Sequence, residues 1–354
     1  MKKNITIGAK TVGKGFPVFI IAEAGVNHNG DISLAKKLVD VAKEAGADAV
    51  KFQTFDPDTL VTKDAAKADY QNKNEGMANG TESQHSMLKR LMLKREEYRE
   101  LKAYAEQKGI IFLSTPFSLA DAEFLRDLGV SALKIGSSDT DNIPFLRTIA
   151  SWKLPLILST GMSDLSLVKE SVGVIRAAGN EELIVLHCTT NYPTPPEEVN
   201  MRALQTLEKE LDVLVGFSDH TEGVMCAVAA VALGAVVVEK HLTLDKGMEG
   251  PDHKASLNPE EFGELVRSIR NIELALGTGE KDSFSSEKRI AQIARKSLVT
   301  SRPVKKGELF TAENLTTKRP GTGIPPREFD RVLGTKAVRD IPEDTILTIY
   351  DYIA

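Results

Sequence analysis

Cysteine is scarce in this chain, with Cys188 and Cys226 the two in 354 residues. That count excludes a disulfide framework and a Cys-rich zinc site. Both fall in apolar segments, which reads as reduced core thiols in a cytoplasmic protein. Long apolar runs are also missing. None reaches the roughly 18–20 residues that a membrane-spanning helix needs. Positive charge is not in excess, and a net charge of −5 argues against a nucleic-acid partner or a polybasic membrane surface. The opening MKKNITIGAKTVG has no apolar stretch behind its lysines, so no secretory leader is expected. What remains, 42% hydrophobic and 27% charged, is an ordinary globular composition.

From residue 18 to 277 one unit recurs: a short apolar, β-branched run followed by an amphipathic helical pattern. The runs are VFIIAEAG (18–25), DAVKFQTF (48–55), IIFLSTPF (110–117), ALKIGSSD (132–139), PLILSTGM (155–162), LIVLHCTT (183–190), VLVGFSDH (213–220) and VVVEKHLT (236–243). Between the first two, Asp31 has the chemistry of a helix N-cap and Gly46 that of a C-terminal stop. Eight such units over about 250 residues predict a (β/α)8 TIM barrel. A doubly wound open sheet is the rival. It lacks its usual signature, because AEAGVNHNGD after the first run is not GxGxxG. Residues 1–17 read as a hairpin plugging the barrel bottom.

The polar stretch 56–85 is long for a structureless connection, which points to a functional lid or a partner-ordered segment on the catalytic face. Residues 278–294 read as a polar linker without apolar period. Residues 295–354 read as a second, small, β-rich domain of short strands and turns. It holds an internal echo: RPVKKGELFTAENL (302–315) resembles RDIPEDTILTIYDYI (339–353).

Side chains alternate along a strand, so residues two apart share a face. A TIM-barrel interior is normally filled by apolar side chains. Here polar groups intrude toward the C-terminal ends of the runs. Glu23 pairs in face with Gly25, Lys51 with Gln53, Ser218 with His220, and Glu239 with His241; Lys134, Thr115 and Ser159 join them. Buried charges are costly unless paired. An internal ion-pair network could account for Glu23 with one lysine but not for the whole set. The pattern predicts a site for an anionic ligand beside a metal.

Six histidines occur in the chain. His220 and His241 end neighbouring runs at one height, and adjacent strands lie about 5 Å apart, a spacing that lets two imidazoles share a cation. No thiolate is in reach by pattern. Mn2+ is expected first, then Mg2+ or Co2+, with waters completing the shell. His187 is expected to pack or to touch substrate rather than ligate.

The motifs IAEAGVNHNGD, VKFQTF, FLSTPF, KIGSSD, LSTGM, LHCTTNYPTPPEEVN, GFSDHT, EKHLTLD and GPDHKASLNPEEF together resemble the sialic acid synthase family. The tail KSLVTSRPVKKGELFTAENLTTKRPGTGI resembles that family's C-terminal antifreeze-like (SAF, β-clip) domain. The resemblance covers nearly the whole chain in the family's order. It implies condensation of phosphoenolpyruvate with an amino-sugar aldehyde. The expected acceptor is N-acetylmannosamine, giving N-acetylneuraminate; a 2,4-diacetamido-6-deoxy sugar, giving legionaminate or pseudaminate, is the alternative. Carried over by motif, Lys51, Thr115, Lys134, Ser137, Ser159 and Ser218 hold phosphoenolpyruvate, and His220 and His241 hold the metal. Gln53, Asn79 and Tyr192, with Glu23, line the acceptor side. Arg319 reaches the neighbouring barrel of a domain-swapped homodimer.

Glu23, Glu239 and Asp139 are the candidate catalytic carboxylates. Asp139 departs from the glutamate of related KIGSGE or KIPSGE motifs by one methylene. Either it still reaches the site or its role lies elsewhere. Two other functions compete: a Schiff-base aldolase using Lys134 or Lys51, and a carbohydrate-binding scaffold without catalysis.

Overall fold

The computed structural model describes residues 4–68, 71 and 82–353. The chain divides into two compact units, Met1–Gly277 and Thr278–Ala354.

The first unit opens with strands β1 (Asn4–Ile7) and β2 (Lys10–Gly13), paired antiparallel. Eight parallel strands follow: β3 (Phe19–Gly25), β4 (Ala49–Thr54), β5 (Ile111–Pro116), β6 (Leu133–Ile135), β7 (Leu156–Ser159), β8 (Leu183–Cys188), β9 (Leu214–Asp219) and β10 (Val237–His241). Their order is β5-β4-β3-β10-β9-β8-β7-β6, and β5 lies beside β6 to close the ring. This is the TIM-type barrel that the eight runs predict. Helices separate successive strands. The first, Ile32–Glu44, starts where Asp31 accepts a hydrogen bond from the Ser33 N–H at 2.7 Å. It stops before Gly46, whose φ of +88° favours a residue without a Cβ.

Alternation decides the packing. On β3, Ile20, Ala22 and Ala24 join the core between strands and helices, whereas Phe19 and Ile21 join a separate interior core. Ile5, Ile7 and Val12 of the hairpin pack into that interior cluster with Leu113, Ile157, Ile184 and Val237. The lower barrel is therefore filled with apolar side chains. Crowding there is severe: at Gly216 on β9 an added Cβ would come within 2.6 Å of the Leu186 side chain and the Val237 carbonyl.

The long connection after β4 contains helices Pro57–Leu60 and Gln84–Leu91; Asn79 lies outside the described residues. No helix among the described residues is long and apolar enough to cross a membrane.

In the second unit β11 (Ser297–Thr300) pairs with β12 (Leu315–Lys318), and β13 (Lys336–Ala337) with β14 (Tyr352–Ile353), both antiparallel. Its core holds Leu298, Val304, Phe310, Leu315, Ile324, Val332, Ile341 and Leu347. The internal echo has a structural meaning. Val304 and Ile341, at matching places in the two repeats, exchange backbone hydrogen bonds of 2.9 and 2.8 Å. Within the expected linker, Ser285–Ala294 is helical. The helix buries none of its residues within the chain; its short apolar stripe of Ile290, Ala291, Ile293 and Ala294 is left unburied.

Candidate active site

Above the apolar plug the inward positions turn polar. A cavity of about 540 Å³ opens there, lined among others by Glu23, Lys51, Gln53, Thr115, Lys134, Ser137, Ser159, Tyr192, Ser218, His220, Glu239 and His241. The ladders explain why they converge. His241 is the register partner of Glu23, Glu23 of Lys51, and Glu239 of Ser218. Paired residues of a parallel ladder present side chains on one face, so these positions form a continuous polar band.

One side of the band is cationic. The Lys51 ammonium lies 2.5 Å from Glu23 Oε2, 3.6 Å from Glu239 Oε2 and 3.1 Å from the Thr115 hydroxyl. Lys134 donates to Ser159 Oγ at 2.6 Å and lies 3.8 Å from Glu239 Oε1. Ser218 donates to the same Glu239 oxygen at 2.9 Å. Ser137 Oγ accepts from the Gly161 N–H at 3.0 Å. All four charged groups are buried, and their environments push the two carboxyls apart. Burial, reinforced by Glu239, raises Glu23 to about 7 against the pull of Lys51. Burial also opposes ionisation of Glu239, but Lys134 and Lys51 outweigh it and hold that carboxyl below its ordinary value. Burial lowers the Lys134 ammonium, with Glu239 opposing. Two carboxyls of unequal basicity beside one ligand site is the arrangement acid–base chemistry uses.

The opposite side holds the imidazoles. The rings of His220 and His241 lie 5.4 Å apart at 60°. Tyr192 stacks on His220 at 4.0 Å and meets His241 edge-on at 5.4 Å. His220 Nδ1 lies 2.6 Å from the Thr189 carbonyl. A carbonyl only accepts, so Nδ1 carries a proton. Burial opposes a second one, but Cys188 and the Thr189 carbonyl raise the ring above its ordinary value, so Nε2 offers a lone pair once a cation displaces that proton. Burial, with His220 and Lys51 nearby, pushes His241 well below its ordinary value, so its ring is neutral. Its Nδ1 is buried without a hydrogen-bond partner. Two imidazoles with available lone pairs fit a divalent cation whose other positions are filled by water or substrate. Among the described residues no group of three His, Cys, Asp or Glu side chains is placed to hold a metal, so any such ion would rest on these two.

One predicted residue of the barrel unit lies apart from this set. Asp139 is not among the cavity-lining residues; it accepts from Asn142 Nδ2 at 2.9 Å. The turn Ser137–Asp139 brings Ser137 to the cavity and ties the shorter carboxyl to its own loop. Arg319 follows β12 in the second unit and is exposed. Asn79 falls outside the described residues. His187 packs on Phe217, and its Nε2 lies 2.6 Å from the Val199 carbonyl.

The cavity also holds residues that pattern reading passed over. Cys188 is buried as expected, yet it lines the cavity with Sγ 3.8 Å from His220 Nδ1. A thiol is therefore in reach, contrary to the reading from spacing, because β8 and β9 are neighbours in the barrel. Asp252, in the GPDHKAS motif, is another lining residue. Phe55, Leu60, Met87, Leu88 and Phe117 give the same cavity an apolar portion. Leu60, Met87 and Leu88 lie on the two short helices of the long connection after β4, outside the strand alternation that marked the other lining residues.

Comparison with known proteins agrees with the motifs. Residues 38–281 match the NeuB family, and residues 295–351 match the SAF domain. The chain is 47% identical over 344 residues to N,N'-diacetyllegionaminic acid synthase of Legionella pneumophila, covering 96% of each chain. It is 46% identical over 330 residues to the protein of the same name from Campylobacter jejuni, covering 93% of this chain and 98% of that one. In fold it resembles N-acetylneuraminic acid (sialic acid) synthetase from Leptospira borgpetersenii, with a TM-score of 0.70 and 33% identity over 81% of this chain and 94% of that chain. Sequence, barrel and tail agree: this chain belongs to the NeuB family and ends in a SAF domain.

Proposed function

We propose that this chain joins phosphoenolpyruvate to an N-acetylated amino sugar and releases phosphate, forming a nonulosonic acid in the cytoplasm. One observation carries the reading: two lysines and two glutamates, all buried, share a cavity with two neutral-capable imidazoles. Lys51, Lys134 and the hydroxyls of Thr115, Ser137, Ser159 and Ser218 suit an enol phosphate. They offset its charge in a site of low dielectric, where such contacts are strongest.

The enol C3 attacks the aldehyde carbon, forming the new C–C bond. Positive charge develops at C2, where ionised Glu239 stabilises it. Water then adds to C2. Glu23, the more basic carboxyl, takes the water proton, and the aldehyde oxygen takes up one proton in turn. The C2–O bond to phosphate then breaks as the new C2 hydroxyl gives up its proton and becomes the C2 carbonyl; phosphate leaves with the electron pair and carries that proton. A divalent cation on His220 and His241, Mn2+ ahead of Mg2+ or Co2+, would supply Lewis acidity toward the aldehyde oxygen.

For the acceptor we favour a 2,4-diacetamido-6-deoxy sugar of the legionaminate type over N-acetylmannosamine. The two relatives at 47% and 46% identity support this. The apolar portion around Phe55, Leu60, Met87 and Leu88 suits a 6-methyl group better than a hydroxymethyl. Gln53 and Tyr192 complete the acceptor side, and Asn79 is kept from the motif. Arg319 is proposed to serve the barrel of a second copy in a domain-swapped homodimer. Its exposure supports this, as do the exposed Ile290 and Ile293 of helix Ser285–Ala294.

The test is phosphate release from phosphoenolpyruvate with each acceptor, with EDTA and with added Mn2+. Release should require both substrates, run fastest with the diacetamido sugar, stop with EDTA and return with Mn2+. A borohydride-trapped adduct with pyruvate would point instead to a Schiff-base aldolase. Sugar binding without phosphate release would point to a scaffold.

A further inference from the structure

Asp219 and Lys240 form an ion pair that the reaction does not use. They are register partners on β9 and β10, with Nζ 2.8 Å from Oδ2 and both side chains almost completely sealed from solvent. The other helix-facing positions of these strands, Val215, Phe217 and Val238, are apolar. An ion pair at such a place contributes little stability over apolar residues of similar size, so its presence calls for another reason. Its position supplies one. Asp219 immediately precedes His220, and Lys240 immediately precedes His241. Alternation sends the charged pair to the back of the sheet and the two imidazoles into the cavity.

The pair also grips the turn beyond His220. Lys240 donates to the Thr221 carbonyl at 2.5 Å. Asp219 Oδ1 accepts from the Thr221 N–H and hydroxyl, both at 2.8 Å. Both neighbours of His220 are thus tied to the residue before His241. We infer that Asp219 and Lys240 are positioning residues that fix the separation of the two imidazoles. The inference rests on the reading of His220 and His241 as cation ligands.

The test is Mn2+ affinity of the full-length protein, measured by electron paramagnetic resonance of free and bound Mn2+, beside thermal melting and phosphoenolpyruvate binding. The double variant Asp219→Leu/Lys240→Met replaces the pair by apolar groups and should stay folded. Its Mn2+ dissociation constant should rise about 10–100-fold, the usual cost of losing a group that orients a metal ligand. Binding of phosphoenolpyruvate, held mainly by Lys51, Thr115, Lys134, Ser137 and Ser159 outside β9 and β10, should change far less than Mn2+ affinity. The milder Thr221→Val, which removes one hydroxyl donor, should weaken Mn2+ several-fold even if the double variant fails to fold. Unchanged Mn2+ affinity in Thr221→Val or in a folded double variant overturns the inference while leaving the cation reading intact. Failure of the unmodified protein to bind Mn2+ removes both.

Discussion

Glu23 and Lys51 are register partners on adjacent strands, and their charged ends meet at 2.5 Å inside the barrel. Lys51 also faces Glu239, so a single ammonium lies between two buried carboxyls. Removing it leaves both without their nearest cation. Lys51→Met should therefore cost about 3–5 kcal/mol of stability, the usual penalty for breaking a buried pair from one side. Adding Glu23→Gln should restore part of it, because one uncompensated carboxyl is then gone. Urea unfolding of the single and double variants measures this, and equal stability of the two would count against the coupling.

The two glutamates should separate from the imidazoles in their effects. Glu239→Gln and Glu23→Gln should each lower turnover by about 10²-fold or more, the range for acid–base and electrostatic groups. Mn2+ affinity should fall far less, since neither carboxyl is assigned to the cation. Paired phosphate-release and Mn2+-binding assays test this; near-normal turnover would remove that glutamate from the mechanism.

Acid should loosen the loop that carries Asp252. His28 and His253 are both buried, and burial lowers each to about 4. His253 Nδ1 bonds the Thr243 hydroxyl at 2.6 Å, and His28 Nδ1 accepts from the Gly30 N–H at 3.0 Å. Each ring is neutral when folded and takes up a proton more readily when unfolded. Their stabilisation is complete above about pH 6.5 and is lost as pH falls toward 4. The melting temperature should drop between pH 7.5 and 5, and the drop should shrink in His28→Asn/His253→Asn. An equal drop in both proteins would contradict the assignment.

Gly216→Ala should destabilise the barrel without touching the site chemistry. Its new methyl meets backbone as well as side chain at 2.6 Å, so neither neighbour yields easily. A cost of about 1–3 kcal/mol is expected from overpacking. Thermal melting checks it, and an unchanged melting temperature would show that β9 can shift.

Much of the site was legible because strands have a period of two. An apolar run containing Glu23, Lys51, Lys134 or Glu239 at an inward position is conspicuous without coordinates. The paired histidines at the ends of β9 and β10 were readable for the same reason, and so was the eightfold repeat of strand and helix. Helix Ser285–Ala294 was not, because its apolar stripe is short and follows a long polar run, so the segment as a whole reads as a connection. Asp139 lies off the cavity lining because a motif fixes residue order, whereas a tight turn decides which side chain faces the cavity.

The sequence by itself determined the alternation of faces, and with it which residues could meet inside a barrel. Only the tertiary structure decided who meets whom: Cys188 beside His220, Asp219 against Lys240, Asp252 brought to the cavity by its loop. Periodicity is a local property of the chain, but contact across strands depends on their order around the ring. Closure of that ring joins residues that no spacing along the chain relates.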